Sequence, residues 1–240
     1  MDFQTLVDTD AVDIKIEHDE AVMMLGSCFA EDVGNLLKRS MLTLCINPFG
    51  TLYNPRSIAQ SLRRLMADMP FSADELVAYG NLWHSMSHHS RFSSVDKDRA
   101  LQKINAAYAE GVACLRSARH LIVTFGTAYA FSTADGETVA NCHKMPASMF
   151  NRRMLSANEI AGEWVRLIDD IRKFNPHIDI TFTVSPVRHL ADGAHGNQLS
   201  KSTLLLAADS IMAQRPGVCH YFPSYEIMLD QLRDYRFFAA

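Results

Sequence analysis

The stretch Ala21-Val-Met-Met-Leu-Gly-Ser-Cys-Phe-Ala30 decides the fold. Residues 21–25 are continuously apolar, the pattern of a strand buried on both faces. Gly26 and Ser27 make a tight turn, and a helical pattern follows over 29–39. Strand, turn and helix in direct succession open a βαβ unit. The turn puts Ser27 at the carboxyl end of a strand and at the amino end of a helix. Free helix N–H groups and the positive end of the helix dipole stabilise negative charge there. Ser27 therefore either caps the helix, a common use of serine, or presents a reactive hydroxyl to a cleft.

Further apolar, β-rich runs recur at 42–46, 120–125, 178–184 and 218–222. Helical patterns separate them. In 56–67, Ile58, Leu62 and Leu65 share a face; in 98–116, Leu101, Ile104, Tyr108 and Val112 do so. In 160–174 the face is Trp164, Leu167, Ile168 and Ile171, and patterns at 199–212 and 225–232 follow. Apolar strands alternating with amphipathic helices predict an α/β fold, a parallel sheet covered on both faces. Ligands of such sheets bind at the strands' carboxyl ends, where the strand order reverses. The segments to search are Gly26-Ser27, Asn47-Pro48-Phe49-Gly50, Gly126-Thr127-Ala128 and Ser185-Pro186-Val187-Arg188-His189. The stretch 48–94 is long for one connection and rich in serine, histidine and aromatics, so it is expected to build part of the cleft. No repeat or linker divides the chain, and one domain over 1–240 is expected.

Composition narrows the function classes. The 240 residues are 48% hydrophobic and 21% charged, ordinary for a globular protein. A net charge of −4 without a Lys/Arg-rich run argues against a nucleic-acid partner. No apolar stretch approaches the roughly 18–20 residues of a membrane span. Residues 1–20 carry acids where a secretory signal would have a basic start and an apolar core. Cys28, Cys45, Cys114, Cys142 and Cys219 are odd in number and lack a CxxC spacing. They read as free thiols of a reducing, cytoplasmic compartment.

The pentapeptide Gly26-Ser27-Cys28-Phe29-Ala30 carries a resemblance to the GSCFA-domain proteins. Also matching are Asn47-Pro-Phe-Gly-Thr-Leu-Tyr-Asn-Pro55, the segment 83–92 with His88-His89, Thr124-Phe-Gly-Thr-Ala128 and Asn141-Cys-His-Lys144. Ser185-Pro-Val-Arg-His189, Gly193-Ala-His-Gly-Asn-Gln-Leu-Ser-Lys201 and Phe222-Pro-Ser-Tyr-Glu-Ile227 complete the set. The resemblance covers nearly the whole chain. It implies a branch of the SGNH (GDSL-like) hydrolases, which are serine esterases and acyl transferases. Their fold is a flavodoxin-like three-layer sandwich around a five-stranded parallel sheet.

The same resemblance implies roles. Ser27 would be the nucleophile, and oxyanion donors would be the N–H groups of Ser27 and Gly50 and an asparagine after the third strand. Gly126-Thr127-Ala128-Tyr129 replaces Gly-x-Asn-Asp at that third place, which leaves Thr127 or Asn141 to donate. Asn141 otherwise ends a hairpin after the Asp135-Gly136 turn. The superfamily's catalytic histidine lies in an Asp-x-x-His segment, and this sequence reaches Arg236-Phe-Phe-Ala-Ala240 where that segment should start. A chain lacking it is expected to be a poor esterase unless another histidine serves. His189, just past the fourth apolar run, is the best placed, and His195 follows in a glycine-flanked loop.

His84, His88 and His89 have a spacing that suggests a metal, and a metal-assisted hydrolase is one rival reading. However, Ser85, Ser87, Ser90 and Ser93 make a helix there poor, and no Asp, Glu or Cys completes a shell, so no metal is expected. His88, His89 and His143 are expected to line the cleft, with Arg188 offering a fork for a carboxylate or phosphate. No organic cofactor is expected, because neither GxGxxG nor a Walker loop occurs. The expected function is hydrolysis or transfer of an ester-linked acyl group of a small molecule or, by superfamily analogy, a carbohydrate. The alternative is a non-catalytic binding module on the same fold, which the altered third block favours.

Overall fold

A computed structural model describes residues 6–9 and 14–232. The expectation placed on the C-terminal Asp-x-x-His segment, and that on the first residues, fall at least partly outside the described residues.

The chain opens with β1 (Ala21–Gly26), α1 (Cys28–Arg39) and β2 (Thr43–Ile46). Next come α2 (Pro55–Ala67), the hairpin β3 (Leu76–Tyr79) and β4 (Leu82–Ser85), and α3 (Lys97–Ser117). After β5 (His120–Phe125) a small antiparallel sheet forms from β6 (Tyr129–Ser132), β7 (Thr138–Val139) and β8 (Asn151–Met154). The chain continues through α4 (Ala157–Phe174), β9 (Asp179–Val184), α5 (Gly193–Gln214), β10 (Cys219–Tyr221) and α6 (Ser224–Glu226).

The five predicted runs form one parallel sheet in the order β10-β9-β5-β1-β2. This is a flavodoxin-like order. Gly26 stands opposite Thr124, Met24 opposite Ile46, and Val123 opposite Phe182. From β1 the chain goes to one edge of the sheet, and from β5 onward it proceeds to the other. The order thus reverses between β1 and β5, where a crevice opens beyond the carboxyl ends of both.

Strand alternation sends Met23, Leu25, Leu121, Val123, Phe125, Ile180, Phe182 and Val184 into the main core. Trp164 of α4 meets Phe125 and Phe182 edge-on, with ring centroids 5.1 and 5.2 Å apart. On the other face, Phe29, Val33 and Leu37 of α1 line an apolar space together with Met24 and Ile122. Helices therefore cover both faces, giving three layers. The helix starts follow side-chain chemistry: Asn54 accepts from the Ser57 N–H at 2.9 Å ahead of Pro55, and Ser156 with Glu159 forms a capping box.

Two expectations are corrected. α5 begins at Gly193, so the loop expected around His195 is helical. Its first turns are anchored by Asn197, whose Oδ1 accepts the His189 N–H at 2.8 Å. The helix expected over 225–232 is a short α6 followed by a π-helical turn, Ile227–Gln231. No helix among the described residues is long and apolar enough to cross a membrane.

The tightest backbone approach in the sheet is at Gly26. With φ at +141°, a Cβ there would sit 2.2 Å from the Thr124 carbonyl oxygen. Gly162 in α4, by contrast, has open space around it. Gly26→Ala is expected to lower stability by about 3–4 kcal/mol, clash and strain combined. Gly162→Ala should be neutral or stabilising by up to about 1 kcal/mol. Urea denaturation of both variants checks the contrast; equal midpoints would refute the close approach.

Candidate active site

Hydrogen bonds tie the loops beyond β1, β2 and β5 to one another. Asn47, in a left-handed conformation with φ at +48°, donates its N–H to Met24 O and accepts the Gly26 N–H on Oδ1, both at 2.9 Å. The Leu52 N–H donates to Gly26 O at 2.9 Å, and the Gly126 and Thr127 N–H groups donate to Tyr53 O at 2.8 and 2.9 Å. A Cβ on Gly126 would be 2.9 Å from Tyr53 O and 3.3 Å from Ser27 Cβ. Glycine is required at 126 because three chain segments converge there.

Ser27 occupies the expected turn between β1 and α1, with φ −68° and ψ 176°. Its carbonyl accepts the Ala30 N–H at 2.9 Å, but its side chain makes no capping bond. The residue is 1% exposed, and Oγ has no hydrogen-bond partner among the described residues. Cys28, the next residue, is partly exposed and lines a cavity of about 410 Å³ at the carboxyl ends of β1 and β5. Ser27 is not in that lining.

Thr127, Arg188 and His189 line the same cavity, so the structure brings these expected residues together. Tyr53, Tyr129, Phe131 and Arg152 also line it. The Tyr53 and His189 rings meet edge-on at 5.6 Å. Arg152 lies 3.9 Å above the centre of the Tyr129 ring and pairs with Asp192. Ser200 Oγ accepts the Ala128 N–H at 2.8 Å and shares a 3.1 Å hydrogen bond with Thr127 Oγ1. Beneath this layer lies Lys201, fully buried, whose Nζ donates to Gly126 O and Ser185 O at 2.6 Å each.

Burial sets the protonation of the groups around the cavity. It depresses the His189 imidazole below its usual range, the Lys201 charge adds to this, and Asp192 opposes it. His189 is thus neutral near pH 7 and able to accept a proton. Burial brings the Lys201 amine down to about 8, with Cys28 opposing the shift. The Tyr53 phenol is pushed up by burial, then by Cys28 and Glu31. Near neutral pH the site therefore combines a buried cation with a neutral imidazole.

The other expected residues lie elsewhere. The Gly50 N–H donates to Asn47 O at 2.7 Å inside a turn with φ at +78°, and so is already engaged. Asn141 Oδ1 accepts the His143 N–H at 2.8 Å. His88 is stacked on Phe49 at 4.7 Å and bonded to Ser85 Oγ at 2.8 Å, and His143 Nε2 donates to Ser85 O at 2.8 Å. His84 belongs to β4, as its poor helical context implied, and its ring lies 4.4 Å from that of His143. His89 Nδ1 accepts the Arg91 N–H at 3.3 Å beside Gly50, and His195 is exposed on α5. None of Gly50, Asn141, His88, His89, His143 and His195 lines the Cys28 cavity. Among the described residues no group of three or more His, Cys, Asp or Glu could hold a metal ion.

Tyr53, Ser200, Lys201 and Cys28 were not singled out from the sequence as site residues. Lys201 left a signal: it shares a helix face with Asn197, Leu204 and Ala208, all buried, where a lysine is out of place. Cys28 left none beyond its neighbour.

Comparison with known proteins follows from this geometry. The family model described as the GSCFA family matches residues 21–240. No match is found among the curated proteins. Among solved structures, an acetyl xylan esterase (Est2A) from the rumen bacterium Butyrivibrio proteoclasticus is similar at 12% identity and a TM-score of 0.31. The match covers 87% of this chain and 56% of that one, so the chain spans little more than half of that structure's length.

The buried histidines make stability pH-dependent. Burial pulls the His88 imidazole down to about 3, and His143 shifts the same way. In the unfolded chain a histidine titrates near about 6.5. Between those values the unfolded state binds more protons, so stability falls as pH falls through the window. The urea midpoint is expected to drop from pH 7 to pH 4. In His88→Phe, whatever its midpoint at pH 7, that acid slope should be shallower. An unchanged slope would contradict a neutral buried His88.

Proposed function

The chain belongs to the GSCFA family, and we propose that it hydrolyses or transfers an ester-linked acyl group in the cavity beyond β1 and β5. The observation that carries this reading is the content of that cavity. A strand-to-helix turn bearing Ser27 and Cys28, a neutral imidazole from His189 and the hydroxyl of Thr127 converge at the switch point of a parallel sheet. Acyl transfer needs a nucleophile, a proton acceptor and donors toward the developing oxyanion. The acyl-accepting group comes from the 27–28 turn, and His189 accepts the proton. A volume of about 410 Å³ suits a short acyl group with part of its alcohol. Tyr53, Tyr129 and Phe131 provide rings on which the apolar face of a sugar can rest, which supports a carbohydrate hydroxyl as the alcohol. Arg188, exposed at the rim, offers a fork to an anionic group on the substrate.

One observation favours a second reading. Ser27 Oγ is buried and unpartnered, which fits a binding module that keeps the fold without the chemistry. Turnover separates the two. The chain is expected to hydrolyse short-chain aryl esters and acetylated sugars. The double variant Ser27→Ala/Cys28→Ala should lose at least about a hundredfold of that rate, the scale set by removal of a nucleophile. His189→Ala should lose about a hundredfold or more, the scale of general base catalysis. Binding of an acetylated sugar without turnover, unchanged in the double variant, would establish the binding module instead.

A further inference from the structure

We propose that the nucleophile of this site is the Cys28 thiolate, held in its ionised form by the buried ammonium of Lys201. The proposal rests on the acyl-transfer reading above and identifies the attacking atom within it.

Access comes first. Ser27 is 1% exposed and absent from the cavity wall, whereas Cys28 is partly exposed and lines the wall with His189. A substrate carbonyl entering the cavity meets Cys28 and not Ser27.

Lys201 is the second, independent observation. Its side chain is fully buried, and its partners are two carbonyls, Gly126 O and Ser185 O, at 2.6 Å. An ammonium carries three N–H donors, so two carbonyls leave one over. No carboxylate pairs with Lys201 among the described residues. An unpaired buried cation is strongly disfavoured unless an anion stands nearby. Gly126, which holds Nζ, packs against Ser27, with a Cβ position 3.3 Å from Ser27 Cβ. That contact puts the amine behind the turn whose next residue is Cys28. Cys28 is also the first residue of α1, where the helix dipole favours an anion. The helix N-terminus and the buried amine thus both bear on the turn that carries Cys28.

The chemistry balances without a cofactor. The Cys28 sulfur attacks the ester carbonyl carbon; the carbon–sulfur bond forms as the carbon–oxygen bond to the alcohol breaks. The departing alkoxide takes a proton from water in the cavity, and the hydroxide so formed attacks the thioester. The carbon–sulfur bond then breaks, the carboxylic acid leaves and the thiolate is restored. One ester and one water give one acid and one alcohol. The neutral His189 relays that proton, taking it from the water and passing it to the alkoxide. With a second alcohol in place of water the same cycle transfers the acyl group.

Alkylation by iodoacetamide from pH 5.5 to 9, read residue by residue by peptide mass spectrometry, tests the thiolate directly. Cys45, Cys114, Cys142 and Cys219 serve as internal references. Cys28 should label with a midpoint at least about one pH unit below the roughly 8.5 of a free thiol. Lys201→Gln keeps two N–H donors and removes the charge. It should raise that midpoint by about a unit and cut labelling at pH 6.5 about tenfold. If Lys201→Gln fails to fold, the unmodified chain still decides: a Cys28 midpoint at or above about 8.5 overturns the proposal. On the activity side, Cys28→Ala should lose at least about a hundredfold of aryl acetate turnover, and an acyl adduct should be trapped on the Cys28 peptide. Turnover that survives Cys28→Ala, or an adduct on Ser27, would overturn the assignment and leave the acyl-transfer reading standing. A chain with a low-pH Cys28 thiolate but no ester turnover would instead overturn the acyl-transfer reading, and the nucleophilic role with it.

Discussion

The carbonyl oxygen of Thr124 occupies the space that a side chain at residue 26 would need. This exclusion brings the ends of β1 and β5 together, and the site is built on that contact. With glycine at 26 the backbone takes a φ closed to other residues and turns directly into α1. Asn47 then fastens the loop after β2 onto the turn through the Gly26 N–H, and Leu52 fastens it from the other side through Gly26 O. The left-handed backbone of Asn47 is tolerable because asparagine visits that region more readily than most residues. The turn is therefore held through its own main-chain groups by the loop after β2, and its geometry does not depend on the side chains of Ser27 and Cys28.

The interior on which this turn rests balances two opposed demands. The face of the sheet under α4 and α5 is apolar, with Trp164 edge-on to Phe125 and Phe182 and those two rings tilted against each other. Immediately above it, at the strand ends, polar groups are buried and bonded: Thr183 with Ser224, Ser200 with Thr127, and Lys201 with two carbonyls. Carbonyls that leave the ladder at the ends of β5 and β9 need donors, and the lysine amine supplies them. The same amine places a positive charge beneath the crevice.

Periodicity made the scaffold legible. The five apolar runs became the five strands within a residue or two, because strands covered on both faces have no other pattern available. Helices with strongly two-sided faces, such as that around Ile58, Leu62 and Leu65, were equally readable. The start of α5 was not, since Gly193 and Gly196 weaken the local helical signal and tertiary hydrogen bonds through Asn197 decide the matter. The site was legible only in place. Topology identified the turn at 26–28, Thr127, Arg188 and His189, but not which of two adjacent side chains faces the cavity. That choice depends on the turn's dihedrals, which no spacing encodes. The histidines at 88 and 143 lie away from that cavity: stacking on Phe49 and bonds to Ser85 draw His88 inward, and His143 Nε2 donates to Ser85 O.

Much of the cavity wall is supplied by a part of the chain that the central sheet does not need. Tyr129 and Phe131 belong to β6 and Arg152 to β8, strands of the small antiparallel sheet inserted between β5 and α4. Arg152 reaches from this sheet to Asp192 and lies over the Tyr129 ring. The 26–28 turn and this part of the wall thus sit on separate modules. Changes within the insertion can reshape what the crevice admits while the turn, the imidazole and the buried amine stay where the parallel sheet puts them. Divergence in such a protein would proceed fastest at 129–154, and grafting that segment between relatives is a direct route to exchanging what they accept.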